Sequence, residues 1–137
     1  MRTNTRIPIL ALLLLFASIT ACAQNKTEWK ELSAFHGVMS QTFHPAEEGD
    51  LKPIRERSGE MVEKASAWKA STIPSDYKDV KGIEESLSAL VDGSTKLDAK
   101  IKAGAKDEEI VKDLSALHDV FHTIVGLCRP GHDEGQH

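Results

Sequence analysis

From Trp29 onward, apolar residues recur at intervals of three and four in four successive stretches, and no stretch shows the alternation of a half-buried strand. The first stripe is Trp29, Leu32, Phe35/His36, Met39 and Phe43; the second is Ile54, Ser58, Met61, Ala65 and Trp68. The third is Ile83, Leu87, Leu90, Ser94, Leu97 and Ile101, and the fourth is Ile110, Leu114, Leu117, Phe121, Ile124/Val125 and Cys128. That period places each set on one face of a helix. A single amphipathic helix cannot bury its stripe alone. Four of them joined by short links are satisfied by packing round one core, so we expect an all-α, antiparallel up-down-up-down four-helix bundle over residues 27–128. A looser three-helix packing with the first helix detached is the alternative.

The breaks between stripes carry their own signals. Thr27 is a candidate cap for a first helix starting near Glu28, and His44-Pro45 is expected to end it, because the residue before a proline is pushed out of helical conformation. Residues 46–52 are acidic and contain Gly49, which reads as a loop, and Pro53 suits the first turn of the second helix. Ile73-Pro74 interrupts the chain after Trp68. The third helix is expected from Tyr77 or Asp79 to Ala103, weakened locally by Gly82 and Gly93, with Gly104 at its stop. Asp107-Glu108-Glu109 suits the positive end of the fourth helix dipole, and Arg129-Pro130-Gly131 stops that helix ahead of a polar tail, residues 129–137.

The N-terminus has a different character. Residues 1–6 hold two arginines and no acid, and residues 7–19 are a nearly unbroken apolar run too short for a comfortable membrane span. Ile19-Thr20-Ala21-Cys22 follows and resembles the lipobox of bacterial lipoproteins. The resemblance implies a signal peptide over residues 1–21, cleavage before Cys22, and acylation of that cysteine, with residues 22–26 as lipidated tether. More than one acyl chain gives stable anchoring. Ala23-Gln24, without an Asp after the cysteine, resembles the outer-membrane default, so the expected location is the periplasmic side of the envelope, lipid-anchored.

Cleavage would leave 116 residues (137 less 21), enough for a single core. It also removes Arg2 and Arg6, taking the formal charge from −4 to −6, which argues against nucleic acid as a partner. The partner implied is membrane lipid through Cys22; no protein partner is legible. With Cys22 acylated, Cys128 is a lone thiol in an oxidising compartment.

Histidine is what separates this chain from a plain bundle. Four of the six lie in the first and last of the four expected helices, as His36, His44, His118 and His122, and none lies in the middle two. His118 and His122 are four apart and share a helix face. Counted at about 1.5 Å per residue, His36 comes level with Leu117 and His118, so three imidazoles can converge. Neutral imidazole suits zinc and copper, so the expectation is a transition-metal site of His36, His118 and His122 with His44 as a further ligand. Met39 and Cys128 are candidate additional ligands. His44 can alternatively serve a second site with Glu47 or Glu48, and His132 and His137 give the tail weak metal-binding character of its own.

In architecture the chain resembles the periplasmic cytochrome b562 and cytochrome c′ group. That resemblance implies a haem held between Met39 and His118 or His122. Cys128-Arg129-Pro130-Gly131-His132 is similar to the CxxCH attachment motif, but Gly131 replaces the second cysteine and proline interrupts it. Haem b is therefore the alternative cofactor, and a cofactor-free structural or partner-binding lipoprotein is the third reading. No serine-centred nucleophile motif, phosphate-cradling glycine loop or paired carboxylates point to an enzyme.

Overall fold

The computed structural model describes residues 28–129. The expectations for Cys22, for Thr27 as a cap, and for His132 and His137 fall outside them. Within them the chain forms four helices and no strand: α1 (Lys30–Glu47), α2 (Lys52–Ala70), α3 (Ile83–Lys102) and α4 (Asp107–Leu127). Each helix packs against the next, and α1 closes the ring against α4 with the least extensive of the four contacts. This is a four-helix bundle. No helix among the described residues is long and apolar enough to cross a membrane.

Three stripes enter the core as their spacing requires. α2 buries Ile54, Ser58, Met61, Ala65 and Trp68; α3 buries Ile83, Leu87, Leu90, Ser94 and Leu97; α4 buries Ile110, Leu114, Leu117, Phe121 and Ile124, with Cys128 just beyond it. On α1 the buried arc is broader, taking in Val38, Thr42 and Ala46 besides Phe35, Met39 and Phe43. Thr42 is tolerated there because its hydroxyl donates to the Val38 carbonyl at 2.8 Å.

Two boundaries differ from expectation, each for a local reason. α1 does not stop at His44 but runs through Pro45 to Glu47. A proline in the last turn sacrifices one backbone bond, and continuing the helix carries Ala46 into the core at 4% exposure. The chain then turns tightly, with Asp50 N–H donating to the Pro45 carbonyl at 2.8 Å and Gly49 at φ +91. α3 starts at Ile83, several residues later than expected, because Gly82 sits at φ +90. That left-handed conformation cannot lie inside a right-handed helix, so the glycine delimits α3 instead of merely weakening it.

Cross-helix contacts fix the registers. At one end the Trp29 and Trp68 rings meet edge to face at 5.6 Å, and the Trp29 indole N–H donates to Ser71 Oγ at 2.8 Å. Phe35 and Phe121 complete that cluster. Arg57 donates to Gln41 across α1 and α2, and Ser58 Oγ donates to Asp98 across α2 and α3 at 2.7 Å. Between α3 and α4, Lys100 pairs with Asp113, and Gly93 lets the helices approach so closely that a Cβ there would stand 2.6 Å from Leu117 Cδ2.

Candidate metal centre

The i, i+4 spacing on α4 brings His118 and His122 together on the side facing α1. Their Nε2 atoms stand 3.1 Å apart, and the rings meet at 78°. His118 is half-buried and His122 exposed. The His118 ring lies flat on Phe43 of α1, with centroids 3.9 Å apart and planes within 13°, which holds the imidazole in place through packing. Burial, above all, and then the neighbouring His122 push the His118 pKa below its ordinary value; Asp119 and Glu47 oppose this and His44 adds to it. The His118 imidazole is thereby kept neutral, the form that donates a lone pair to a metal.

His44 lies beside this pair on α1, next to Phe43. Its Nδ1 is 3.2 Å from Glu47 Oε2, within hydrogen-bond reach of the carboxylate. Of the two acids named with His44 for a second site, Glu47 is the one within hydrogen-bond distance of it. His36 lies apart: Phe35 takes the core position, and His36, one residue further round the helix, is exposed with its ring stacked on Phe121 at 5.4 Å. The expected convergence of three imidazoles is therefore a pair. Among the described residues, no three His, Cys, Asp or Glu side chains are gathered closely enough to hold one ion.

The two candidate sulfur ligands lie elsewhere. Met39 is enclosed in the core at 1% exposure. Cys128 is a buried thiol six residues past His122, about 9 Å further along the helix axis. It lines a cavity of about 400 Å³ with Trp29, Leu32, Tyr77 and Val125.

What the pair can do follows from its spacing. With metal–nitrogen distances of about 2.0–2.1 Å, donors 3.1 Å apart subtend about 100° at the ion, between the square-planar and tetrahedral angles. As it stands the contact is a hydrogen bond in which one Nε2–H donates to the other Nε2; moving that proton to Nδ1 would free both lone pairs to form one edge of a coordination polyhedron. The distribution of charge along the sequence favours a cation here as well. No Lys or Arg occurs from Glu31 to Leu51 or from Asp113 to Cys128, although the chain has 17 of them. Both helices bearing the histidines are thus free of fixed positive charge over most of their length, and Glu47 and Asp119 are nearby. The Phe43 platform, by contrast, could not be foreseen from spacing, because it depends on the rotation of α1 against α4.

No protein family is matched by the chain, no curated protein is detectably similar to it, and no solved structure resembles it.

Proposed function

We propose that this is a lipid-anchored protein of the bacterial cell envelope that binds a transition-metal ion, zinc or copper, for sequestration, sensing or delivery. His118 and His122 are the primary ligands, His44 stands beside them, and no catalysis is assigned. The observation that carries the reading is the 3.1 Å separation of the two Nε2 atoms, which fits the edge of a metal coordination shell. The absence of Lys and Arg from Glu31 to Leu51 and from Asp113 to Cys128 supports it, since no fixed positive charge on those stretches repels a cation. His36 belongs to the same strip of rings, beyond Phe121, as a residue an ion could recruit only by side-chain rearrangement.

Haem ligation by Met39 and His118 fits less well. It needs both residues to open onto one slot, whereas Met39 is enclosed in the core and a face of His118 is taken by Phe43. The order of the cross-helix pairs supports the antiparallel course: Trp29 with Trp68 and Gln41 with Arg57 run in opposite senses, as do Gly93 with Leu117 and Lys100 with Asp113. The lipobox-like Ile19-Thr20-Ala21-Cys22 supports the anchor.

Titration of the untagged protein with zinc or copper tests the site. His118→Ala and His122→Ala should each weaken uptake by tenfold or more, while unchanged affinity in both variants would overturn the reading. Partition tests the anchor: Cys22→Ser should move the chain out of the membrane fraction, and continued membrane association would refute lipidation at Cys22.

A further inference from the structure

Two imidazoles complete only half of a tetrahedral shell, and the described part of this chain brings no third His, Cys, Asp or Glu close enough to share an ion with them. We infer that a second copy of the chain supplies the missing donors, so that one ion is held by His118 and His122 from each of two copies. This rests on the metal reading of the pair.

The placement of the pair suits such sharing. His122 is exposed, His118 is half-buried, and both lie where α4 meets α1, the least extensive contact in the bundle. Their Nε2 atoms already stand at a chelating separation. A two-fold axis through the ion repeats that edge on its far side, giving four equivalent nitrogen donors from one self-complementary patch.

The charge of the face makes the association conditional. Beyond Lys30 at its start, α1 carries Glu31 and Glu47, with Glu48 directly after it, and the α4 segment from His118 onward carries Asp119; no Lys or Arg offsets them between Glu31 and Leu51 or between Asp113 and Cys128. Two such faces brought together repel each other unless a cation lies between them. The dimer is therefore metal-dependent: the chain is monomeric without the ion, and a chelator reverses the association.

Two other donors compete with the second copy. His44 of the same chain could swing in, at the loss of its contact with Glu47, and the tail histidines His132 and His137 could fold back. Zinc titration of the full, untagged chain in mild detergent separates these, with stoichiometry read by a competing chromophoric chelator and mass by native mass spectrometry. The expected result is half a zinc per chain and a doubled mass. Both should be lost in His122→Ala, whose unchanged far-UV circular dichroism shows that the fold is intact. Both should be kept in His44→Ala and in His132→Ala/His137→Ala. One zinc per monomer would overturn the shared site while leaving metal binding standing, and loss of the dimer in either of the latter two variants would transfer the missing ligands to those residues and overturn it equally. No uptake at all would remove the metal reading itself.

Discussion

His118 acquires its chemistry from two neighbours on different helices. Four residues along α4, His122 sets the donor spacing; across the seam, Phe43 covers the ring and strips part of its water. A lone exposed histidine would have neither the fixed orientation nor the lowered proton affinity. Ser94 shows the opposite situation for a polar group. It is 1% exposed, and its hydroxyl finds no hydrogen-bond partner among the described residues. A buried hydroxyl without a partner carries a desolvation cost, and serine is also the weaker helix former. Ser94→Ala should therefore raise stability by about 1 kcal/mol in urea denaturation. A loss of similar size would mean that the hydroxyl is satisfied after all.

At the scale of helices, glycine separates intrinsic propensity from packing. Gly37 lies inside α1 with nothing within 4 Å of where a Cβ would stand, so Gly37→Ala should stabilise by about 0.5–1 kcal/mol through helix propensity alone. Gly93 has the same propensity to gain, but its added Cβ would meet Leu117 Cδ2 at 2.6 Å, and Leu117 is itself buried. Overpacking of a tight core costs about 1–3 kcal/mol, so Gly93→Ala should be net destabilising despite the better helix former. Thermal melts of the two variants side by side check this, and an equal gain in both would show that α3 and α4 have room to separate. Pro45 makes a related point: a helix passes its usual stop when the next turn has apolar surface to bury, here Ala46.

For the whole molecule, the lowered proton affinity of His118 links folding to pH. The unfolded chain protonates this imidazole at its ordinary value of about 6.5, whereas the folded chain resists until the pH is lower. Stability is therefore full above the ordinary value, declines as the pH falls past it, and reaches its reduced level once the folded value is passed. The groups acting on this step are His122 and His44, which oppose protonation, and Asp119 and Glu47, which favour it. His118→Gln should flatten the dependence of Tm on pH between roughly 7 and 5.5. An unaltered slope would assign it to other groups. Asp98 adds a second loss in more acid solution, because its bonds to Lys102 and then Ser58 hold its carboxyl below the usual range. Under the proposed metal reading, uptake should weaken as His118 takes up its proton, since proton and ion compete for one lone pair.

The periodicity of apolar residues was enough to determine four helices, which faces of α2, α3 and α4 are buried, and the position of most breaks, because burial and the 3.6-residue repeat are local constraints. The i, i+4 spacing likewise determined that His118 and His122 share a face. The sequence could not decide between Phe35 and His36 for the core, because adjacent residues compete for one position and only the rotation of α1 against its neighbours chooses. That rotation put Phe35 inside and left His36 on Phe121, reducing an expected trio of imidazoles to a pair. It also laid Phe43 under His118, a contact between residues 75 positions apart that no local rule specifies. Gly82 was legible as a glycine but not as a boundary, since its left-handed conformation, which glycine permits without requiring, is seen only in the folded chain.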